Sequence, residues 1–264
     1  LGGILEEVKA LAIEAGVFIA TQRESFDLSK VESKHRHDYV SYVDKGCEEL
    51  VVSRLKEILP EAGFITEEKT VKQEDGKEEY FWVVDPLDGT TNFIHDLAPY
   101  CVCIALRNRE EILLGVVYEV SRKELYSAAK GMGAYLNDKP IHVSAINDVD
   151  QALVMVGYPY NADDWRAFCL HITGRLYGHC ASIRSMGSAE AELCYVAAGK
   201  IDVYFESFIQ PWDVAAGAII VKEAGGNVSD YDGADAKWES GRQVLATNGL
   251  LHEAVLQEMQ KAKP

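Results

Sequence analysis

Closely spaced strand-like segments in the first half of the chain constrain its fold more than any other feature of the sequence. Runs rich in β-branched, aromatic and other apolar residues predict strands over 80–85, 100–107, 112–119 and 124–128. The last three are joined by turns too short for a crossover, so we expect them to pair as antiparallel neighbours. Apolar side chains at helical spacing predict helices over 4–24 and 45–59 before these strands. The first half is therefore predicted to be an α+β unit.

The pattern changes after about residue 146, where strand-like and helix-like segments alternate. Strands are predicted over 153–158, 180–185, 202–206, 227–230 and 243–247, and helices over 162–176, 188–199, 213–225 and 249–261. Alternation of this kind is typical of α/β units. No Pro- or Ser-rich linker separates the two parts. We therefore predict two halves, 1–146 and 147–264, that share a long interface and bind ligands between them.

The acidic balance of the chain narrows the class of partner. A formal net charge of −16 argues against nucleic acid, which proteins bind through clustered Lys and Arg. No apolar run approaches the ~18 residues needed to cross a bilayer, so no membrane partner is expected. So acidic a protein can still handle an anionic phosphate if a bound divalent cation reverses the local field.

The cysteines and the first seven residues indicate the cellular compartment of the protein. The six cysteines form no Cys-x-x-Cys pair and mostly lie in apolar stretches, which favours reduced, buried thiols over a disulfide framework or a zinc site. The segment 1–7 lacks the basic flank of a signal peptide. We therefore predict a cytoplasmic protein.

The most informative motif spans residues 82–93, Trp-Val-Val-Asp-Pro-Leu-Asp-Gly-Thr-Thr-Asn-Phe. An apolar strand ends at Asp85, and the proline that follows, with Gly89, forces the chain into a turn that we expect to be exposed. Such a turn can aim Asp85, Asp88 and the Leu87 carbonyl at one point. Hard cations such as Mg²⁺ prefer oxygen ligands of this kind and keep positions for water and phosphate.

Two other interpretations of this motif were weighed. An ordinary Asp-Pro and Asp-Gly turn explains the residues equally well when the motif is taken alone. An EF-hand loop requires acids at alternate positions and a glycine at the sixth. In this motif the acids are three apart and Gly89 is fifth from Asp85, so the EF-hand interpretation fails.

Other acids extend the predicted metal site. Glu67 follows an apolar segment at the mouth of a strand, and Asp213 opens an apolar helix. Asp44 lies where the N-cap of the helix 45–59 is expected, and the Thr90 hydroxyl could link an attacking water to its carboxylate. Each acid alone is more simply a loop acid or a helix cap. Their joint occurrence favours a metal site.

At this point the chain resembles the inositol monophosphatase family over nearly its whole length. The motifs that carry the resemblance are Asp85–Phe93, Trp212–Ala218 running on to Glu223–Gly226, Asp38–Asp44, Phe64–Glu68 and Met186–Ala189. Two long motifs and three supporting segments in family order make the match specific. Thr66 departs from the pattern, since the family usually has glycine before the Glu-Glu pair. The segment around Lys34 departs from it too.

The resemblance implies a role for each candidate site residue. The ligands of the metal that activates water are Glu67, Asp85 and the Leu87 carbonyl, and those of the metal at the leaving oxygen are Asp85, Asp88 and Asp213. Asp44 and Thr90 orient the attacking water. The substrate contacts are the N–H groups of Gly89 and Thr90, a positive charge from Lys34, the helix start at Gly187, Ser188 and Ala189, and Glu206 as an acceptor for ring hydroxyls.

The resemblance implies a layered αβαβα sandwich of the inositol monophosphatase and fructose-1,6-bisphosphatase type. It implies hydrolysis of an inositol or related sugar phosphate monoester by water, with two or three Mg²⁺ ions, no phosphoenzyme, and inhibition by Li⁺. A homodimer is expected, with tyrosines 158, 160 and 177 in packing or dimer contacts.

Three alternative functions stay open at this stage. Two are enzymes, a fructose-1,6-bisphosphatase and an adenosine 3′,5′-bisphosphate 3′-phosphatase. The third is a metal- and phosphate-binding regulatory protein without turnover.

Overall fold

The protein is organised in five layers, helices–sheet–helices–sheet–helices, which confirms the predicted αβαβα sandwich. The computed structural model describes residues 1–35, 38–73, 77–158, 163–235 and 243–262. Three hydrophobic clusters hold the layers together. One cluster lies between the first sheet and its outer helices, and another lies between the second sheet and its outer helices. The third fills the space between the two sheets and surrounds the central helices.

The first sheet is a meander that covers most of the first half. A small antiparallel ribbon of β1 (Glu32–His35) and β2 (Asp38–Val40) precedes it. The strands of the first sheet, in spatial order, are β3 (Gly63–Thr66), β4 (Tyr80–Asp88), β5 (Cys101–Asn108), β6 (Ile112–Glu119), β7 (Glu124–Ala129), β8 (Ala134–Leu136) and β9 (Lys139–Ile141). All neighbours are antiparallel except β3 and β4, which are parallel. The predicted antiparallel sheet is thus confirmed, with one parallel pair at its edge.

The second sheet is mixed. Its strands are β10 (Leu153–Val156), β11 (Ser182–Arg184), β12 (Val203–Ser207), β13 (Asn227–Ser229) and β14 (Gln243–Thr247). The spatial order is β11-β10-β12-β14-β13, in which β10 pairs parallel with β11 and β12 while β14 runs antiparallel to its neighbours. The two sheets fall on either side of residue 146. The division into halves stays a prediction, because central helices of the second half share a core with the first sheet.

Helices form the two outer layers and the central layer. They are α1 (Gly2–Glu24), α2 (Tyr42–Ile58), α3 (Thr90–Ile94), α4 (Asp163–Leu176), α5 (Ala189–Ala197), α6 (Ala215–Glu223) and α7 (His252–Ala262). α1 and α2 bury their apolar faces on the outer side of the first sheet. α5 and α6 lie between the sheets, and α4 and α7 cover the far side of the second sheet. α5 and α6 are buried along most of their length, as expected for helices covered on both sides.

A close approach between β6 and α6 fixes the central layer. A Cβ on Gly115 would lie 2.5 Å from the Ala216 carbonyl oxygen and 2.7 Å from the Ile219 side chain. Only a glycine permits this separation, so the helix rests directly on the sheet backbone. The close contact holds the start of α6, which follows Asp213, against the first half of the chain.

Two local predictions near the site are wrong. Ser41, not Asp44, is the N-cap of α2, and Asp44 is the third helical residue. The strand predicted to end at residue 85 continues as β4 to Asp88, because a bulge opposite Cys101 and Cys103 absorbs the extra residues. Asp88 is consequently buried rather than in an exposed turn.

The cysteine prediction is confirmed, since all six thiols are free and five of them are buried. Within the described ranges, no helix has the length and apolar character needed to cross a membrane.

Candidate active site

A cavity of about 250 Å³ lies between the two halves of the chain. Residues from the first sheet and α3 form one wall, and residues from the second half form the other. The described residues that line it are Tyr39, Glu67, Asp85, Leu87, Asp88, Gly89, Thr90, Thr91, Gly157, Tyr158, Ser185, Gly187, Ser188, Ala189, Glu192, Glu206, Ile209 and Asp213. Six of these residues are acidic, and no lysine or arginine is among them.

The bulge at the end of β4 builds the first wall. Asp85 pairs with Cys103 and Asp88 pairs with Cys101. Two residues of β4 therefore lie opposite one residue of β5 between these pairs. The residue after Asp85 is a proline, which has no N–H to give to a ladder, and a bulge tolerates it. The Asp85 carboxylate accepts the Leu87 N–H at 2.9 Å. This bond holds the turn and leaves both aspartates buried at the cavity.

Gly89 ends the strand and starts α3. Its φ of +91° is a conformation that side-chain-bearing residues rarely adopt. An added Cβ would lie 3.0 Å from the Pro99 carbonyl oxygen and 3.3 Å from the Gly187 carbonyl oxygen. The glycine thus lets the first wall approach the loop before α5 in the second half.

Thr90 connects the cavity to α2. Its hydroxyl lies 2.8 Å from Asp44 Oδ1 and 3.0 Å from the Leu87 carbonyl oxygen. A hydroxyl has one proton to donate, and the charged acceptor is the stronger partner. When Thr90 donates to Asp44, its oxygen can accept a bond from a water in the cavity and the Leu87 carbonyl is left available.

Asp44 is held in place independently of Thr90. Its Oδ2 accepts the Ser41 N–H at 2.8 Å and the Ser41 hydroxyl at 2.6 Å, which forms a capping box at the start of α2. Burial raises the pKa of Asp44, and the hydrogen bonds from Ser41 and Thr90 oppose that rise. Asp44 thus takes part in the capping box through Oδ2 and accepts the Thr90 hydroxyl through Oδ1. A structural role at the start of α2 and a role in orienting water are therefore compatible.

Asp88 joins the two halves. Its Oδ2 accepts the Ser188 hydroxyl at 2.6 Å and the Glu190 N–H at 2.9 Å, both at the start of α5. An anion is favoured at a helix N-terminus, where N–H groups lack partners within the helix. Burial raises the pKa of Asp88 to about 6, and these donors limit the rise.

Glu190 accepts backbone N–H groups at the start of α6, as Asp88 does at the start of α5. Its buried carboxylate accepts the N–H groups of Ala216 and Gly217 at the start of α6. Asp213 precedes that helix, ends a 3₁₀ turn, and accepts the Gln210 N–H at 2.6 Å. The acids at the starts of α5 and α6 are therefore fixed by backbone donors.

The cavity carries a second acidic pair. The Tyr204 hydroxyl donates to Glu206 Oε2 at 2.5 Å, and Glu192 accepts the Met186 N–H at 2.6 Å. Burial raises the pKa of Glu206 to about 7. Burial and the neighbouring Glu206 raise the pKa of Glu192 to about 9. Both carboxyl groups therefore keep their protons to a higher pH than an exposed glutamate does.

The carboxylates at the β4 end repel one another. Burial raises the pKa of Asp85 well above its ordinary value, and the nearby Glu67, Asp88 and Asp213 raise it further. Burial likewise raises the pKa of Asp213, with added repulsion from Glu67 and Asp88. Buried like charges of this kind are stable as anions only when a cation compensates them.

The chemistry of this end fits divalent cations. The donors are carboxylate and carbonyl oxygens, the set that Mg²⁺ prefers. In the positions they take here, no three His, Cys, Asp or Glu side chains of the described residues form a group that could hold a metal ion. The assignment of Glu67, Asp85, Leu87, Asp88 and Asp213 as ligands therefore stays a prediction.

The structure brings almost all of the predicted site residues to one cavity. Every predicted metal ligand and substrate contact except Lys34 lines it, and Asp44 reaches it through Thr90. The backbone of Lys34 lies in β1, but its side chain is outside the described residues.

The sequence interpretation missed several residues of the cavity. Tyr158 lines it, although it was interpreted as a packing residue, while Tyr177 is exposed and Tyr160 lies outside the described residues. Glu192 was missed too. Its signal was an acid within the otherwise apolar segment Ala189–Ala197, a pattern that it shares with Glu190.

Comparisons with known proteins agree with one another. The model of the inositol monophosphatase family matches residues 4–263. The Nus factor SuhB of Escherichia coli strain K12 is 38% identical over 248 residues, which are 94% of this chain and 92% of that protein. The extragenic suppressor protein suhB of Bartonella henselae superposes with a TM-score of 0.91 at 30% identity, covering 98% of this chain and 99% of that one. The inositol monophosphatase of Anabaena (Nostoc) sp. PCC 7120 gives 0.87 at 32% identity, covering 100% and 98%.

The burial of Glu206 generates a prediction about pH. Its pKa rises from 4.5 to about 7 in the folded protein, so the folded state binds this proton more tightly than the unfolded chain and loses stability as pH rises between these values. Glu206→Gln should therefore stabilise the metal-free protein at pH 8.5 by about 2–3 kcal/mol, or roughly 3–5 °C, and have little effect at pH 5.

Thermal unfolding in the presence of EDTA measures this difference. Glu49→Gln, an exposed change on α2, is the matched control and should leave the melting temperature unchanged at both pH values. An equal effect of Glu206→Gln at pH 5 and pH 8.5 would contradict the prediction.

Proposed function

We propose that this chain, which belongs to the inositol monophosphatase family, hydrolyses the phosphate monoester of an inositol or related sugar with Mg²⁺ as its cofactor. The family makes the chain a phosphatase of this type. The substrate and the cation are the parts that we propose. The observation that carries the proposal is a cluster of carboxylates that line one cavity, the buried Asp85 and Asp88 among them, beside a hydroxyl that is bonded to a further buried acid.

The residues proposed to hold Mg²⁺ are Glu67, Asp85, Asp88, Asp213 and the carbonyl of Leu87. Bound cations would supply charge neutralisation for the phosphate and for the leaving oxygen, which phosphoryl transfer requires more than covalent help. The chain's own contribution is to hold these oxygens rigidly. Asp85, Asp88 and Asp213 each accept a backbone N–H at 2.6–2.9 Å, so their positions do not depend on the substrate.

Thr90 and Asp44 are proposed to orient the attacking water. The Thr90 oxygen faces the cavity and can accept a hydrogen bond from the water while it donates to Asp44 at 2.8 Å. Asp44 is buried, and its raised pKa makes its carboxylate a better acceptor for the proton of the Thr90 hydroxyl than an exposed aspartate would be. No serine, cysteine or histidine nucleophile is needed, and water attacks the phosphorus directly.

The lining of the cavity supports a monophosphate of a small hydroxyl-bearing ring. Glu206 and Glu192 line the cavity and present acceptors, which suits donated hydrogen bonds from ring hydroxyls. A second phosphate beside this pair would meet two acidic side chains. This electrostatic pattern favours an inositol or sugar monophosphate over fructose 1,6-bisphosphate or adenosine 3′,5′-bisphosphate.

The pair of Asp44 and Thr90 also argues against a regulatory protein without turnover. Binding of a cation and a phosphate does not need a buried acid joined through a hydroxyl to the cavity. Inhibition by Li⁺, a homodimer and a cytoplasmic location stay predictions that follow from the resemblance and from the cysteine pattern.

A Nus factor is a second candidate role, because the relative at 38% identity carries that name. With a net charge of −16, direct binding to RNA phosphates is disfavoured, so the role would rest on protein partners. The two roles are separable, since substitutions at the buried acids of the cavity affect hydrolysis without changing the outer surface.

The proposed activity predicts a clear result for Asp88→Asn. The amide oxygen can still accept from Ser188 and Glu190, so the fold should be kept, but the lost charge should lower phosphate release by about 100-fold or more at saturating Mg²⁺. Phosphate release from inositol monophosphate, with and without Mg²⁺, is the measurement.

Asp150→Asn, an exposed change far from the chemistry, is the matched control and should behave as wild type. Wild-type turnover that is unaffected by EDTA, or near-wild-type turnover of Asp88→Asn, would overturn the metal-dependent assignment.

The pair of Thr90 and Asp44 predicts non-additive losses. Thr90→Val keeps the shape but removes the hydroxyl, and Asp44→Asn removes the charge that it bonds. Each should lower kcat by ~10²–10⁴-fold, and the double variant should be scarcely worse than either, because the two groups act as one unit. Substrate KM and Mg²⁺ affinity should change little.

Steady-state kinetics and melting temperatures of the three variants decide this point, with Thr21→Val, a threonine of α1 remote from the cavity, as the control. If Asp44 serves only the capping box, Asp44→Asn will cost ~1 kcal/mol of stability and leave kcat nearly unchanged. Multiplicative losses in the double variant would also contradict the coupled pair.

A further inference from the structure

A second buried acid lies on α2, one helical turn after Asp44. Glu48 is completely buried, and it lies on the same face of the helix as Asp44 because residues four apart are neighbours. That face otherwise carries apolar side chains such as Val43, Cys47 and Val51. A carboxylate is rarely buried there without a set of donors to receive it.

The donors come from Thr66, the last residue of β3, and from the loop that follows it. Glu48 Oε1 accepts the Thr66 hydroxyl at 2.9 Å, the Thr70 N–H at 2.7 Å and the Thr70 hydroxyl at 2.7 Å. Its Oε2 accepts the Glu68 N–H at 2.7 Å. Four hydrogen bonds therefore tie one short loop to one carboxylate on α2.

Glu67 lies between the residues that Glu48 holds. Thr66 and Glu68 are both bound to Glu48, whereas Glu67 lines the cavity beside Asp85. The backbone of the loop is also constrained at Lys69, whose φ of +55° is uncommon for a residue with a side chain. The Glu67 N–H donates to the Val84 carbonyl of β4 at 3.3 Å, and Glu48 holds the residues on either side of it.

Gln73 completes the anchor from the other side. Its side-chain oxygen accepts the Thr66 N–H at 2.8 Å, and its amide nitrogen donates to the Thr66 hydroxyl at 3.0 Å and to the Val71 carbonyl at 2.8 Å. Thr66, the departure from the family's usual glycine, is thus a junction between Glu48 and Gln73. The loop is bonded internally, but its only charged anchor among these contacts is Glu48.

We propose that Glu48 is a positioning residue that fixes Glu67 for cation binding and couples the Glu67 loop to the helix that carries Asp44. The inference rests on the proposed function, since it assumes that Glu67 is a cation ligand. α2 would then set two parts of the site from successive turns, the group that orients water through Asp44 and one carboxylate ligand through Glu48. A purely structural role for Glu48 would instead stabilise the loop without affecting cation affinity.

Glu48→Gln is the sharpest change. Glutamine keeps the size of the side chain, but one of its two ends becomes an NH₂ group, which cannot accept the Glu68 N–H or the Thr70 N–H. At least one end of the loop is therefore released. Glu49→Gln on the same helix removes the same charge from an exposed position and is the matched control.

Binding of Mn²⁺, followed through the electron paramagnetic resonance signal of the free ion, reads cation affinity without turnover. Glu48→Gln should weaken Mn²⁺ binding by about 10-fold or more, and Glu49→Gln should not change it. The Mg²⁺ concentration for half-maximal phosphate release should rise by the same factor, while substrate KM at saturating Mg²⁺ stays the same. Thr70→Val, which removes one donor and is less disruptive, should give a smaller shift in the same direction and serves if Glu48→Gln does not fold.

The outcomes separate this inference from the proposed function. Mn²⁺ affinity that is unchanged in folded Glu48→Gln and Thr70→Val, with only the melting temperature lowered, overturns the positioning role. A wild-type protein that binds no Mn²⁺ overturns the proposed function and, with it, the premise of the inference. Weaker Mn²⁺ binding in both variants, without a change in substrate KM, supports the positioning role.

Discussion

Negative charge gathered in one cavity is the constraint on which the rest of this structure depends. Six acidic residues line a cavity of about 250 Å³, and the residues described in its lining include no lysine or arginine. Burial and mutual repulsion raise the pKa of Asp85 and of Asp213 well above their ordinary values. Because isolated buried carboxylates are costly, the fold must hold them by other means. This gathered charge is the basis of the proposed site for divalent cations, and through them for an anionic substrate, in a protein with a net charge of −16.

Backbone N–H groups supply the restraint that basic side chains do not. Asp88 receives donors from the start of α5, and Glu190 receives donors from the start of α6. Helix N-termini satisfy their own unpaired N–H groups in this way while they fix the acids. Since α5 and α6 are packed between the two sheets, the geometry of the site depends on the central layer. This explains why the cavity lies where the halves meet and why a close contact such as Gly115 against α6 matters to it.

Much of this architecture could be predicted from the sequence, because strand and helix periodicity reflect which faces are buried. The closely spaced strands after residue 100 predicted the antiparallel sheet, and the alternation after residue 146 predicted a second sheet with helices, while the order of the layers came from the family resemblance. Bulges and caps were not predictable in the same way. Pro86 suggested the end of a strand, whereas a bulge carries β4 on to Asp88, because pairing with β5 compensates for the missing N–H. Glu48 was missed because its donors, at Thr66–Thr70, lie about twenty residues away in the sequence and meet it only in the fold.

The central claim is that the carboxylates at the end of β4 are cation ligands, and a crystal grown with Mn²⁺ tests it most directly. The account predicts anomalous difference peaks within coordination distance, about 2.0–2.3 Å, of the Asp85 carboxylate, with Glu67 and the Leu87 carbonyl around one ion and Asp88 and Asp213 around another. Matching Mn²⁺ peaks should be absent from crystals of Asp85→Asn. A wild-type cavity without Mn²⁺ peaks, with its carboxyl groups hydrogen-bonded to one another instead, would contradict the account.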